Sequence, residues 1–264
     1  MLERKDGIAI LVITLLVLAI FWRATLGGVF YSGDLWQLHY PLRTLYAAEL
    51  ARSRLPLWTP YLLAGYPLLA EGQLGALYPP NLILHRLLPV STALNVFVLA
   101  HLIWAAVGTY VFAQRLRMRR FVALCIALVC GLSGLFVAHR GQVNLVACAA
   151  WLPWLLLLTH RLLVRTTTAR ASRDAALLAP ALGMAFLVGS LEISLLCLLT
   201  VVAFGLCLVA ARHPRKQLPL LLATSLLAGM GAINHAVGDL CEFRVSIALP
   251  PSASAAISTC RQPP

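Results

Sequence analysis

The sequence predicts an all-α fold: a polytopic transmembrane helical bundle of about seven spans with a long loop after the first. Three observations predict it: an apolar composition, continuous apolar runs, and linkers that alternate between arginine-rich and arginine-poor. Of the 264 residues, 61% are hydrophobic and 11% are charged, whereas a soluble domain carries about 25% charged residues. A water-soluble core of this size cannot hide so much apolar surface, so lipid is the expected solvent.

The predicted spans are apolar runs of roughly 20 residues, the length that crosses a bilayer as a helix. The runs do not alternate between apolar and polar residues, which favours helices over barrel strands. The first span is interpreted as a retained anchor rather than a signal peptide, because no small-x-small cleavage site follows it. The fifth is short, so we expect it to tilt or to pack against its neighbours. The runs are 7–26, 90–113, 121–138, 144–163, 175–189, 193–210 and 218–237.

The linkers predict the orientation. Basic residues precede the first span and cluster in the linkers after the second, fourth and sixth spans, whereas 139–142 and 189–192 are poor in charge. Cytoplasmic loops carry an excess of arginine and lysine, so we expect a cytoplasmic N-terminus in a bacterial inner membrane. Most of the basic residues behind the net charge of +12 lie in these clusters, which indicates an orientation signal and no nucleic-acid partner.

Residues 27–88 form a predicted outer loop that is long enough to be functional rather than a connector. Leu35, Leu38, Leu42 and Leu45 recur there at helical spacing, which predicts an amphipathic helix lying on the membrane surface. Pro41 falls inside this pattern, so the helix should either begin after it or kink there.

Asp34 is the predicted catalytic residue. It follows the first span closely, at a depth that both a lipid-linked phosphate and an acceptor hydroxyl can reach. A carboxylate there could act as a general base or as a ligand for an assisting divalent cation. Asp34 could equally cap the helix that follows it. No other cofactor is predicted, and no metal site, because the seven cysteines form no CxxC pair.

A second group of polar residues is predicted to bind the substrate on the same face. Arg140 is a lone positive charge in an outer linker and is suited to pairing with phosphate; a hydrated turn is the alternative. His101, near the middle of the second span, is either functional or a neutral histidine bonded to a neighbouring helix. The predicted substrate-binding residues are Glu71, His139, Arg140, Gln142 and Glu192.

Several short motifs together resemble the YfhO-type bacterial membrane proteins. The first-loop motifs are GDLWQ, LPLW, GYPL and GQLGALYPPN, at 33–37, 55–58, 65–68 and 72–81. Residues 141–144 running into 150–154, and the turn 189–192, are similar to that family as well. Ser190 and Leu191 depart from the Gly-His-Pro-Gln-like turn that members often carry.

The resemblance implies a glycosyltransferase C-like fold and an enzyme that uses polyprenyl-phosphate sugars outside the membrane. Such enzymes carry an acidic residue in the first outer loop, and Asp34 is the matching position. The implied function is transfer of a sugar from a polyprenyl-phosphate donor, itself held by membrane lipid, to a cell-envelope acceptor. The alternatives are a transporter or flippase for a lipid-linked substrate, and a non-catalytic envelope scaffold.

The resemblance covers most of residues 1–233, and members of the family are longer. We therefore expect a transmembrane domain over 1–237, followed by a disordered or frameshifted tail over 238–264. On this interpretation the chain is an N-terminal fragment of a family member, and it could be an inactive one.

Overall fold

The structure, a computed structural model, describes residues 4–30, 33–62, 65–164 and 168–212. Within these ranges the fold is all-helical, and the only extended pairing is one isolated bridge between Thr59 and Tyr66. The predicted span 218–237 and the predicted tail 238–264 lie outside the described residues. The helices are α1 (Arg4–Ile20), α2 (Trp22–Thr25), α3 (Tyr40–Ala51), α4 (Pro79–Leu87), α5 (Val90–Arg115), α6 (Arg120–Gly131), α7 (Gly134–Ala138), α8 (Val143–Ala149), α9 (Leu152–Val164), α10 (Thr168–Leu187) and α11 (Leu191–Arg212).

Four helical segments of the described chain are long and apolar enough to cross a membrane. They are Val90–Arg115, Arg120–Ala138, Val143–Val164 and Leu191–Ala211, and they coincide with predicted spans two, three, four and six. The apolar part of α1 is shorter, and α10 carries charge in its first turns. The composition and the four helices together indicate a membrane protein.

The centre of the bundle is α5, which contacts α1, α6, α8 and α9. Small residues allow close approach there: a Cβ added at Gly131 would lie 2.7 Å from the Cβ of Ala106, a packing mode that membrane helices favour. The α6 and α11 segments instead leave most of their apolar surface exposed, with Phe121 and Val129 among the most exposed side chains. Such faces are stable against lipid and unstable in water.

Charged residues tie the helices together at one end of the bundle, which we call the arginine end. Asp6 of α1 accepts a hydrogen bond from the Tyr110 hydroxyl at 3.0 Å, and its Oδ1 lies 3.3 Å from Nε of Arg120. The Arg161 and Asp174 side chains form a 2.7 Å ion pair between α9 and α10. The N-terminus and two of the arginine-rich linkers thus share one end, as the alternation of linkers predicts.

The opposite end, which we call the loop end, carries residues 27–88. Asn95 of α5 fixes the start of this loop: its Oδ1 accepts from the Phe30 amide at 3.3 Å, and its Nδ2 donates to the Ala24 and Gly28 carbonyls. A buried side-chain amide that satisfies three backbone groups holds a segment far better than apolar contact alone. The beginning of the loop is therefore anchored to the central helix.

The predicted amphipathic helix exists, but it packs against protein. A π-helical turn over Leu35–His39 leads directly into α3, and the wide turn places Pro41 near the start of α3, where a missing N–H costs little. The helix contacts α4 and α5. Leu35 joins the main core of the bundle, whereas Leu42 and Tyr46 are buried in a separate cluster with loop residues 68–76. The predicted helix is therefore present; Leu35 and Leu42 of its apolar stripe are buried against protein, whereas Leu38 stays exposed.

Candidate functional site

A cavity of about 580 Å³ opens at the loop end, between four segments that are distant in sequence. The segments fall within 34–39, 71–73, 142–145 and 189–193. Four of the predicted site residues line it together: Asp34, Glu71, Gln142 and Glu192. Convergence of polar side chains from separate elements on one cavity is typical of a binding or active site.

Asp34 lies exposed on one wall of the cavity. Its Oδ2 accepts a hydrogen bond from Nε2 of Gln142 at 3.3 Å. The side chain makes no capping hydrogen bond to the turn that begins at Leu35, so the alternative role as a helix cap is not seen. The carboxylate is thus accessible from the cavity, and the side-chain amide of Gln142, which belongs to another lining segment, orients it.

The other two carboxylates of the cavity have different environments. Glu71 is buried and accepts a hydrogen bond from the Tyr66 hydroxyl, which fixes its position. Glu192 is exposed in the first turn of α11, where the partial positive charge of a helix N-terminus favours an acid. Three carboxylates therefore face one space, which gives the cavity a strongly negative wall.

The backbone of two loops meets behind these carboxylates. Gly75 has φ +56° and Gly189 has φ +93°, both in the left-handed region that glycine adopts without strain. A Cβ at Gly75 would lie 2.5 Å from the carbonyl oxygen of Val188, and one at Gly189 would overlap the carbonyl of Gly72. The absence of side chains at these glycines lets Glu71 and Glu192 share one cavity.

Two cavity residues were not singled out by sequence reasoning as binding residues. His39, whose sequence position indicates only an interfacial side chain, is buried and lines the cavity. Asn144 also lines it, and its Nδ2 donates to the Gln73 carbonyl while its Oδ1 accepts from Arg43 at 3.2 Å. His39 and Arg43 are four residues apart and so share one helical face. This spacing is the sequence signal that could have predicted that the two side chains are neighbours.

The pKa of His39 is lowered from 6.5 to about 4, mainly by burial and also by the positive charge of Arg43, while Asp34 partly opposes both. The folded protein therefore keeps His39 neutral at pH values where the unfolded chain protonates it. Its contribution to stability is complete above pH about 6.5 and is lost as the pH falls towards 4. Between these limits stability decreases with acidification.

A His39→Gln variant should accordingly show a weaker dependence of stability on pH. We expect the free energy of unfolding to fall between about pH 7 and about pH 5 by about 2 kcal/mol more in the wild type than in the variant. Denaturant unfolding in detergent at the two pH values measures this difference, because other titrating groups contribute equally to both proteins. Identical slopes would mean that His39 takes up its proton in the folded state.

The predicted residues Arg140 and His139 do not line the cavity. The Nη1 of Arg140 donates to the carbonyl of Val137 at 2.8 Å, and Nδ1 of His139 lies 2.9 Å from the carbonyl of Leu135. Both side chains turn back onto the helix end that precedes them. Their expected contact with a substrate in the same site as Asp34 is thus absent from this arrangement.

His101 is engaged in a structural hydrogen-bond chain. Its Nε2 lies 2.8 Å from the Tyr78 hydroxyl, its Nδ1 lies 2.7 Å from the Phe97 carbonyl, and Trp151 Nε1 donates to the same hydroxyl at 3.1 Å. Because Nδ1 faces a carbonyl oxygen, it carries the ring proton, so Nε2 accepts from the Tyr78 hydroxyl; burial raises the pKa of Tyr78 to about 12. This chain connects the outer loop to two spans and matches the interpretation of His101 as a neutral, bonded histidine.

Within the described residues, no three His, Cys, Asp or Glu side chains are placed to hold a metal ion together. The carboxylates of the cavity can accept a proton, and its carboxylates and amides can bind hydroxyl groups. In comparisons with known proteins, no family model, no curated protein and no solved structure matches this chain.

Proposed function

We propose that the chain is a membrane glycosyltransferase that moves a sugar from a polyprenyl-phosphate donor to a cell-envelope acceptor on the outer face of a bacterial inner membrane. The observation that carries the proposal is the shared cavity of Asp34, Glu71, Gln142 and Glu192 at the loop end. These residues come from separate segments; Asp34, Gln142 and Glu192 lie in motifs that resemble the YfhO-type proteins, and Glu71 directly precedes another. The proposal includes a glycosyltransferase C-like bundle of about seven spans.

The lining of the cavity suits a sugar. Carboxylates and side-chain amides accept and donate the hydrogen bonds that sugar hydroxyls need, and Glu71, Gln73, Gln142 and Glu192 present both kinds of group. A volume of about 580 Å³ lies in the range of small-ligand sites. The donor lipid would remain in the bilayer while its head group enters at the loop end.

Asp34 would act as the general base. It takes the proton from the acceptor hydroxyl while that oxygen attacks the anomeric carbon, and the bond from this carbon to the phosphate oxygen breaks. The electron pair leaves with the phosphate, so the products are the glycosylated acceptor and polyprenyl phosphate. Such a displacement needs a positioned base and stabilisation of the leaving phosphate.

A transfer assay tests the proposal. Purified protein in liposomes would receive polyprenyl phosphate carrying a radiolabelled hexose, together with a crude cell-envelope fraction as acceptor. We expect label to move from the lipid phase into the envelope fraction at a rate proportional to the protein added. Label that stays lipid-linked for every hexose and envelope fraction, beside folded protein, would contradict the assignment and leave a transporter or a scaffold.

A further inference from the structure

Arg43 is a fully buried cation beside the cavity. Its side chain has no exposed surface, and its guanidinium lies 5.3 Å from the ring centroid of Phe97. One hydrogen bond is formed, from Nη2 to Oδ1 of Asn144 at 3.2 Å. Its Nε and Nη1 have no hydrogen-bond partner among the residues that the structure describes.

No ion pair between Arg43 and a carboxylate is seen in the described ranges, where the arginines that do form ion pairs include Arg52, Arg120 and Arg161. A buried charge with neither a counter-ion nor a full set of hydrogen bonds is costly. Burial lowers the pKa of Arg43 only to about 10, so it stays protonated at neutral pH. The unpartnered Nε and Nη1 nitrogens and the uncompensated charge are the features of an anion site.

The lining of the cavity is acidic, so a phosphate ligand could bind there only with a cation close by. Asp34, Glu71 and Glu192 line the cavity, and no lysine or arginine does so among the described residues. His39, the one imidazole there, is kept neutral by burial. A phosphate entering this space would meet repulsion from three acids unless a cation lay close behind the wall.

The geometry places Arg43 in that position. His39 lies one helical turn before Arg43, and Asn144 is its hydrogen-bond partner; both line the cavity. Rotation of the Asn144 side chain would free Nη2 beside a residue that lines the cavity. Arg43 can then present two parallel N–H groups, the fork that matches two oxygens of one phosphate.

We propose that Arg43, and not Arg140, binds the phosphate group of the ligand in this cavity. Before the phosphate binds, Nη2 of Arg43 is hydrogen-bonded to Asn144, and the phosphate replaces Asn144 as its partner. The ligand chemistry is a phosphate ester or a free phosphate, and assigning the phosphate to a polyprenyl lipid rests on the proposed function. The residue was absent from the sequence prediction because one arginine in an amphipathic helix is expected to face water.

Asn144→Asp is the decisive variant, because it supplies Arg43 with a carboxylate while keeping the shape of the side chain. The new ion pair with Arg43 should offset the hydrogen bond from Nδ2 to the Gln73 carbonyl, which aspartate cannot make. We therefore expect the variant to fold and to bind polyprenyl monophosphate about 10- to 100-fold more weakly. Arg43→Gln should weaken binding equally. The matched control is Arg52→Gln, an exposed arginine beyond the end of the same helix, which should bind like the wild type.

Three probes distinguish the source of the phosphate. Binding of polyprenyl monophosphate, inorganic phosphate and the uncharged polyprenol would be measured by displacement of radiolabelled polyprenyl monophosphate from the purified full chain in detergent. Displacement by the lipid phosphate alone supports a lipid-linked ligand; displacement by inorganic phosphate as well supports a site for the phosphate group itself. Polyprenol as effective as the lipid phosphate would overturn the role of Arg43.

Failure of this inference is separable from failure of the proposed function. Wild-type affinity of Asn144→Asp for polyprenyl monophosphate overturns the inference even when sugar transfer is observed. Binding that depends on Arg43, in a protein that transfers no sugar from any donor, supports the phosphate site and contradicts the enzyme. Asn144→Asp is expected to fold, so the outcome does not depend on the survival of Arg43→Gln.

Discussion

Replacing Asp34 with asparagine is expected to lower the rate of sugar transfer by about 10²- to 10⁴-fold, the usual contribution of a general base. Asparagine keeps the size of the side chain and can still bond to Gln142, but it cannot take the proton of the acceptor hydroxyl. Because Asp34 is exposed and caps no helix, the amount of folded protein in the membrane should not change. Initial transfer rates at saturating donor measure the effect.

The matched control for this substitution is Glu49→Gln. Glu49 lies on α3, outside the cavity, and its carboxylate pairs with Arg52 near the surface. Removing that charge should leave the transfer rate within about twofold of the wild type, since exposed ion pairs contribute little. Transfer by Asp34→Asn at the rate of Glu49→Gln would remove Asp34 from the mechanism.

Gly189→Ala is expected to destabilise the protein by about 3–5 kcal/mol and to abolish transfer with it. The added Cβ would occupy the space of the Gly72 carbonyl, and the residue would be held at φ +93°, where an L side chain is strained. The loop 72–75 and the turn before α11 must then separate, which moves Glu71 away from Glu192. Thermal unfolding in detergent, together with the transfer assay, measures both losses.

Gly183→Ala supplies the comparison. Gly183 lies inside α10, and a Cβ there would meet no atom within 4 Å. Alanine is the better helix former, so this variant should be unchanged or up to about 1 kcal/mol more stable. Similar stability of the two alanine variants would show that the Gly72–Gly189 contact does not hold the loops together.

The parts of the fold that follow from local pattern were predictable. Continuous apolar runs marked the four helices that are long and apolar enough to span a membrane, and the parity of charged linkers correctly put 34, 71, 142 and 192 at one end, where one cavity joins them. Each of these inferences needs only neighbouring residues and the thickness of a bilayer.

The remainder depends on contacts between distant segments. Arg43 is buried because α3 packs on α5 instead of on lipid, and nothing in the periodicity around Leu42 distinguishes these two supports. Arg140 looked suited to phosphate by charge alone, yet its side chain bonds to its own helix end. The direction of a side chain is set by packing, which a pattern of residue types does not contain.

The close approach of Gly72 and Gly189 also has a consequence for biogenesis. Gly72 is synthesised early, in the first loop, whereas Gly189 is synthesised just before α11. A nascent chain that has inserted everything up to α10 still lacks the turn on which the early loop rests, so its acidic side chains cannot yet surround a ligand. Capacity to bind therefore begins only when translation has passed α11, which would keep a half-made protein from engaging its substrate.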